Sequence, residues 1–445
     1  MTGPAAVFVL LLFLSGCQAK SMLLRPANGA ANGGGKVFVY AQPFQQEADR
    51  LVFSLEDISA LRDDGAVFQL SPVISEFRGR DMKSQRLIAS GSLPPGHYAG
   101  LSFRVRSASL EVEGGGAKLL VPDGPVRTDF AFDLSKERSY VILLKFNYPG
   151  SISERLSFSP VFTAFFPDRP VVDLTAYVVN HDSDNITVID KAAMQVTGVI
   201  STGKGPGGVA FEHDLKRAYV TLSGDDSVEV IDIASGEVMN RIRLNAGDSP
   251  KSPVLTPDGK VLLTANQGSG TVSIIDPAAF IESDRINVGN GPNSVLIDRA
   301  GRRAYVFNTL SGSITVIDIA SRSAAAVIST EPGPLSGQFN RAGDRLYVIH
   351  EWSSYLTVID PYSVSVLGRT RIGIGAKALK LDTRTGLVYI GKKAEALVEV
   401  YDPLSFVQVY NITAERGPSY ITIDDEGNNL YLVVPERKAL YIIDL

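Results

Sequence analysis

From Ala176 onward the chain alternates short apolar runs with polar turns, and the stretch AYVVNHDSDNITVID at residues 176–190 recurs in close variants. Seven copies are present, and their first large apolar positions are Tyr177, Tyr219, Leu263, Tyr305, Tyr347, Tyr389 and Tyr431. Five of the six intervals are 42 residues and one is 44. A fixed period of this length, built from short alternating runs, is typical of four-stranded propeller blades. The pattern therefore predicts an all-β fold with a seven-bladed β-propeller.

Each repeat divides into four predicted strands, which we name A to D from the central channel outward. In the second repeat these are GGVAF at 207–211, AYVTL at 218–222, VEVID at 228–232 and VMNRIRL at 238–244. A recurring acid opens the C–D turn, at Asp190, Asp232, Asp276, Asp318, Asp360, Asp402 and Asp444. An Asp that opens a turn can accept a backbone N–H, so we expect this acid to be structural and not catalytic.

The pairing of YVxN with VID resembles the YVTN-repeat propellers of prokaryotic surface and secreted proteins, from about residue 160 to the end. The Asn that ends strand B in that family is kept at Asn180, Asn266 and Asn308. Other residues replace it in the remaining repeats, namely Leu222, His350, Lys392 and Val434. This variation indicates that the position has no single function.

The ring also needs strands that close it, because the last repeat stops after strand C and the first lacks strand A. The segment SPVFTAFFPD at 159–168 aligns without gaps with GPGGVAFEHD at 205–214. We therefore expect it to be the inner strand of blade 1, with residues 152–158 as the outer strand of blade 7, and a propeller domain over 159–445. Such pairing would remove open sheet edges. The preceding domain has a competing claim on Leu156 to Phe162 as its last strand.

Residues 37–158 show short alternating runs, such as VFVYA at 37–41 and YVILLKF at 140–146, which predict a small all-β domain. LPPGHY at 93–98 and the strands after it resemble a domain family of unknown function in bacterial lipoproteins. The resemblance implies an immunoglobulin-like or transthyretin-like β-sandwich and no particular activity. We expect it to be a spacer or a binding module.

The first 16 residues carry no charged side chain, and their apolar run is too short to span a bilayer, so residues 1–16 predict a signal peptide. LSGC at 14–17 resembles the bacterial lipobox, which implies acylation of Cys17, the only cysteine. An ordinary signal peptide that ends near a cysteine is the alternative. Gln18 follows, and resemblance to the lipoprotein sorting rule implies the outer membrane. Residues 17–36 would be the lipid anchor and a flexible tether.

Charge and chemistry narrow the function classes. Charged residues make up 20% of the chain and the net charge is −5, which favours no nucleic-acid partner. The four histidines lack metal-ligand spacing, and there is no GxSxG nucleophile elbow. We therefore predict no catalytic site, metal or cofactor, and we expect a monomer.

Strand direction alternates within a blade, so the B–C loops and the D–A connections must open on one face, where the repeats differ most. The candidate ligand residues on this face are His181, Lys204, Lys251, Asn293, Ser336, His350, Glu351, Trp352, Lys377, Arg416 and Tyr420. Their positive bias suits an anion or a sugar, although any hydrated channel mouth is polar. Trp352 could anchor a partner at an interface or fill a gap between blades.

Three hypotheses for function remain. We favour a lipid-anchored protein of the cell envelope whose propeller binds a protein or polysaccharide without catalysis. A lactonase-like hydrolase would need convergent His, Glu and Arg side chains, and only His350 with Glu351 suggests them. A propeller with a non-covalent haem-like or quinone cofactor would be coloured when purified.

Overall fold

The structure, a computed structural model, describes residues 34–112, 115–153, 157–168, 174–212, 214–414, 417–424, 428–435 and 439–445. These residues form a β-sandwich followed by seven sheets arranged as a propeller, so the predicted fold class is confirmed. The predicted signal peptide, Cys17, nearly all of the tether and Arg416 lie outside the described residues. Across the described ranges, no helix is both long and apolar enough to cross a membrane.

The sandwich consists of two main sheets, with strand orders β13-β10-β1-β6-β4 and β3-β2-β7-β8, and β5 and β9 add to the second sheet. β1 pairs in parallel with β10. The strands are β1 Gly35–Ala41, β2 Leu51–Arg62, β3 Val67–Gln69, β4 Ser71–Pro72, β5 Glu76–Arg78, β6 Arg86–Leu93, β7 Gly96–Val112, β8 Gly115–Leu119, β9 Val126–Leu134, β10 Ser139–Phe146, β11 Ile152–Ser153, β12 Ser157–Phe158 and β13 Phe162–Phe165. Three short helices accompany them, at Gln46–Ala48, Gly79–Asp81 and Tyr148–Ser151.

A cluster of phenylalanines fills the sandwich core and decides where residues 157–165 belong. The rings of Phe53 and Phe158 are 4.9 Å apart, and those of Phe103 and Phe162 are 5.0 Å apart. β13 pairs with β10 in the sandwich. The prediction that 159–168 is the inner strand of blade 1 is therefore wrong, as is a domain boundary at residue 158.

The inner strands of the propeller explain this outcome. The position aligned with Phe162 is Gly208, where even a Cβ would lie 2.8 Å from Pro253 of the next blade. A phenylalanine cannot fit into so crowded a position, whereas the sandwich core offers it ring contacts. Residues 152–158 likewise form the short β11–β12 hairpin and not the outer strand of blade 7.

The seven sheets each run from the channel outward, five with four strands and two with three among the described residues. Blade 1 is β14 Thr175–Asn180, β15 Asn185–Asp190 and β16 Gln195–Ser201, with a short 3-10 turn at His181–Ser183. Blades 2 and 3 are β17 Pro206–Glu212, β18 Arg217–Leu222, β19 Ser227–Asp232, β20 Val238–Arg243, then β21 Pro250–Leu255, β22 Leu262–Asn266, β23 Thr271–Asp276 and β24 Ile281–Asn287.

The later blades follow the same plan. Blades 4 and 5 are β25 Pro292–Ile297, β26 Arg303–Asn308, β27 Ser313–Asp318, β28 Ser323–Ser329, then β29 Pro334–Phe339, β30 Leu346–His350, β31 Tyr355–Asp360 and β32 Ser365–Arg371. Blades 6 and 7 are β33 Ala376–Leu381, β34 Val388–Lys392, β35 Leu397–Tyr401, β36 Gln408–Thr413, then β37 Tyr420–Asp424, β38 Asn429–Val434 and β39 Ala439–Asp444. The strands predicted for the second repeat are confirmed to within one residue at each end.

The recurring Asp caps the C–D turn, as predicted. In blade 6 the Asp402 Oδ1 accepts the backbone N–H of Leu404 at 3.1 Å and of Ser405 at 2.8 Å. Equivalent bonds form in the other blades with a complete C–D turn. These N–H donors stabilise the carboxylate and hold the pKa of Asp402 below its usual range. The acid is structural.

An ion pair joins blades 1 and 7, which have three strands each among the described residues. The Lys191 Nζ lies 3.0 Å from the Asp424 Oδ2, and both side chains are largely buried. This contact brings the first and last blades together without the predicted strand exchange.

The sandwich packs on the outer strand of blade 1. Tyr40, Val141 and Leu143 form a buried apolar cluster with Val199 of β16. The Gln85 side chain accepts the Val196 N–H at 2.6 Å, as a neighbouring strand would. Since a free strand edge invites pairing with other chains, the sandwich protects this edge.

Candidate functional site

The predicted face exists, and we call it the loop face: the B–C loops with the D–A connections. The two kinds of segment are hydrogen-bonded within a blade. In blade 2 the Ser223 N–H donates to the Gly205 carbonyl at 2.9 Å, and in blade 5 the Glu351 N–H donates to the Gly333 carbonyl at 2.6 Å. The loops are therefore held by backbone bonds that leave side chains free to vary.

At the blade 1 end, His181 and Ser223 occupy the same repeat position in adjacent blades. The His181 Nδ1 lies 2.9 Å from the Asp182 Oδ1, and its Nε2 lies 3.3 Å from the Ser223 Oγ. Acyl transfer also needs N–H donors for the developing oxyanion. The N–H groups of Ser223 and Gly224 already donate to the carbonyls of Gly205 and Lys204, so they cannot serve as those donors here.

The predicted polar residues of the channel mouth partly tie blades together. The Asn293 Nδ2 donates to the Leu335 carbonyl of the next blade at 3.2 Å, and the Lys251 carbonyl accepts the Thr221 hydroxyl at 2.5 Å. Ser336 is half-buried in β29, and Lys204 is exposed. These side chains are spread around the mouth, and the structure does not bring them together at one point.

His350 does not face a ligand, which corrects its assignment to this face. It is 0% exposed and ends strand β30. Its Nδ1 donates to the Tyr355 carbonyl at 3.0 Å, and Thr357 lies 3.5 Å from its Nε2. Burial lowers the pKa of His350 to about 4, so the ring is neutral.

The role of His350 follows from the repeat. In blade 4 the equivalent Asn308 donates to the hydroxyls of Ser313 at 3.3 Å and Thr315 at 2.9 Å, which lie five and seven residues later. His350 contacts the residues at the same two offsets. The imidazole thus replaces the carboxamide as the polar link between strands B and C.

Sequence reasoning missed Lys392, which holds the same position in blade 6. It is buried, its Nζ donates to the Ile372 carbonyl, and it lies 3.0 Å from the Glu399 Oε2. The Tyr401 hydroxyl donates to Glu399 at 2.7 Å. The sequence did offer a signal for Lys392: it aligns with His350 at the end of strand B. Both replace an Asn that makes buried hydrogen bonds in blade 4.

Trp352 lies on the surface, so it does not fill a gap between blades, which was one of its two predicted roles. Its ring rests on Gly333, where an added Cβ would lie 2.9 Å from the ring carbon Cε3. The neighbouring Glu351 forms an ion pair with Lys377 of blade 6. One face of the indole is thus supported by backbone and the other is open to solvent.

Two more large apolar side chains are exposed on the loop face near Trp352 in the chain order of the blades, which the sequence did not reveal. We define the apolar arc as Leu310, Trp352 and Ile374 on the loop face of blades 4 to 6, which are 67%, 57% and 71% exposed. At the position of Leu310 and Trp352, blades 1, 2, 3 and 6 carry Asp182, Gly224, Gly268 and Ala394. The nearby charges are paired within the protein, Glu351 with Lys377 and Glu331 with Arg369. These four charged side chains are therefore already neutralised within the protein, beside the three apolar residues of the arc.

The last two predicted residues add little to a candidate site. Tyr420 is exposed at the start of β37, and Arg416 lies outside the described residues. Within the described ranges, no group of three His, Cys, Asp or Glu side chains could hold a metal ion.

The fold defines a class, a β-sandwich followed by a seven-bladed propeller. Residues 170–334 match the model of the YNCE-like beta-propeller family, so the chain contains a YNCE-like β-propeller domain there. No curated protein matches the chain.

Solved structures share the propeller fold. Hydrazine synthase of Kuenenia stuttgartiensis is 20% identical with a TM-score of 0.56, and the match covers 61% of this chain and 92% of that one. A chain in the crystal structure of a mitotic checkpoint complex is 11% identical with a TM-score of 0.53, covering 59% and 82%. At these identities the similarity shows the fold alone.

Proposed function

We propose that the protein is a lipid-anchored, non-catalytic binding or scaffold module of the cell envelope, whose propeller binds its partner through the apolar arc. The single observation that carries the proposal is the arc itself. Three large apolar side chains are more than half exposed in three consecutive blades, at positions that the fold does not require to be apolar. Exposed apolar patches of this kind commonly mark interaction sites.

The chemistry of the arc favours a protein partner over a polysaccharide. Trp is enriched at the energetic centres of protein interfaces. The charges beside it are neutralised internally, so a partner that covers them need not supply counter-charges. A sugar site would require several unpaired polar groups around the ring.

A photocrosslinking amino acid at Trp352, in the full chain and in its native membranes, tests this. We expect one discrete crosslinked protein band, lost when Leu310→Asp or Ile374→Asp is added. The same crosslinker at Met239, an exposed residue on the outer strand of blade 2, is the control. Equal crosslinking at both positions, or retention of the band in the Asp variants, would contradict the proposal. Crosslinking to polysaccharide only would identify the other partner class.

The anchor is proposed separately and is supported by LSGC and by the single cysteine. Acyl chains contribute about 0.8 kcal/mol per buried CH₂, enough together to hold a protein on a bilayer. We expect labelled palmitate to be incorporated into the wild type and not into Cys17→Ser. Palmitate incorporation that persists in Cys17→Ser would contradict this anchor.

A further inference from the structure

The opposite face of the propeller carries a second surface, and we call it the turn face: the A–B and C–D turns. The second residue after the recurring Asp is Ala192, Ala234, Ala278 and Ala320 in blades 1 to 4. In blades 5 and 6 it is Tyr362 and Leu404, which are 68% and 93% exposed. Only the backbone N–H of this residue takes part in the turn. The large apolar side chains therefore have no role in forming it.

The same part of the turn face is rich in arginine. The A–B turns of blades 4 to 6 and the strand start that follows the first of them contain Arg299, Arg302, Arg303, Arg341, Arg345 and Arg384. Arg299, Arg302 and Arg341 are exposed and have no carboxylate partner in the described part of the chain. The acids of these turns remain ionised: Asp298 accepts the Arg302 N–H at 2.7 Å, Asp382 accepts the Arg384 N–H at 2.9 Å, and the Asp344 carboxylate lies 3.6 Å from the Arg345 guanidinium.

Contacts place the arginines beside the apolar residues. The Arg303 Nη1 donates to the carbonyl of Pro361, the residue before Tyr362, at 3.0 Å. The turn that holds Arg384 also contains Gly386, where a Cβ would lie 3.5 Å from the Cγ of Pro403, next to Leu404. Arginines and exposed apolar side chains of blades 4 to 6 therefore share one surface.

We propose that the turn face of blades 4 to 6 docks on a bilayer surface that contains anionic lipid. The unpaired arginines are complementary to anionic headgroups, and Tyr362 and Leu404 are placed to enter the apolar boundary beneath them. An anionic polymer would satisfy the arginines and leave the apolar side chains in water. This surface is distinct from the apolar arc and does not depend on the partner proposed for it.

The single Trp of the chain makes the test specific to orientation. Two full-length proteins are compared, both with Cys17→Ser so that no acyl chain contributes. One keeps Trp352 on the loop face, and the other carries Trp352→Tyr with Tyr362→Trp on the turn face. Each is mixed with vesicles of equal parts phosphatidylglycerol and phosphatidylcholine with brominated acyl chains, which quench a Trp that reaches them.

We expect quenching and a blue shift for the Trp of Tyr362→Trp, and neither for Trp352. Each Arg→Gln change at 299, 302 or 341 should lower the apparent vesicle affinity about fivefold, while Arg243→Gln on the outer strand of blade 2 should not. Added salt should weaken binding. Equal quenching at both positions, or none at position 362, would overturn the proposal. Binding to a soluble polyanion that Leu404→Ser leaves unchanged would overturn it in favour of a polymer site.

Discussion

Blades 4 and 6 have the same backbone plan and different interiors. In both, an Asp caps the C–D turn, at Asp318 and Asp402, and strand B ends in a buried polar residue. Blade 4 places Asn308 there, with neutral hydroxyl partners. Blade 6 places Lys392 there, with the carboxylate of Glu399. Blades 4 and 6 therefore both link strands B and C through a buried polar residue, with different chemistry.

The two blades also differ at the tight B–C turn, four residues after that polar position. Its backbone is left-handed in both, with φ of 59° at Gly312 and 56° at Ala396. Glycine adopts this conformation without cost, whereas a residue with a Cβ is strained there. Blade 6 thus combines a buried ion pair with a strained turn. Substitutions at the ion pair and at the turn can test how each of them affects stability.

The largest effect should come from breaking the buried pair. Lys392→Leu leaves Glu399 buried without its cation, which typically costs about 3–5 kcal/mol of unfolding free energy. The control is the double variant Lys392→Asn with Glu399→Thr, which installs the pair of blade 4 and should recover most of the loss. Urea unfolding measures both. A single variant as stable as the double would show that the pair is not coupled.

Blade 5 extends the comparison, because His350 makes the same link with a titratable ring. Its pKa is about 4 in the folded chain against an ordinary 6.5, so the unfolded chain binds more protons between these values. Stability should therefore fall as the pH drops from 6.5 to 4, by about 3 kcal/mol from this group. His350→Asn should remove that part of the pH dependence, as followed by urea unfolding at several pH values. An unchanged pH profile would contradict the assignment.

The strained turn should have a smaller effect. Ala396→Gly should stabilise the protein by about 1 kcal/mol, and Gly312→Ala should destabilise it by about 1–2 kcal/mol. A Cβ at Gly312 would meet nothing nearer than 4.0 Å, so the cost is conformational and not steric. The melting temperature measures both, with Ala394→Gly as the control outside the left-handed position. A lower melting temperature for Ala396→Gly would refute the strain.

Blades 4 and 6 should differ least in the stability effect of changes at the C–D turn, because its Asp makes the same bonds in both. Asp318→Ala and Asp402→Ala should lower the melting temperature at neutral pH by similar amounts. Backbone N–H donors lower the pKa of both carboxyls, so this contribution is present above the unfolded pKa and lost as the pH falls through the folded one. Each variant should then match the wild type in strong acid. Unequal losses at neutral pH would show that the two turns are not equivalent.

Much of the fold could be predicted from sequence because its causes are local. The period of the repeat, the strand ends of blade 2 and the role of the recurring Asp depend on residues close in sequence. The site was less predictable. His350 and Trp352 stand two residues apart and were assigned to one face, yet His350 is fully buried and Trp352 is more than half exposed.

The sequence by itself determined that the chain folds into repeated four-stranded blades, since strand alternation and turn chemistry act within one repeat. Tertiary structure alone decided which strands complete the ring and which residues reach the surface. Phe162 joined the sandwich because a phenylalanine cluster accepts it and the crowded inner strands do not. Leu310, Trp352 and Ile374 are exposed on one face because consecutive blades present their loops there. Such contacts depend on packing between blades, which the pattern of a single repeat does not contain.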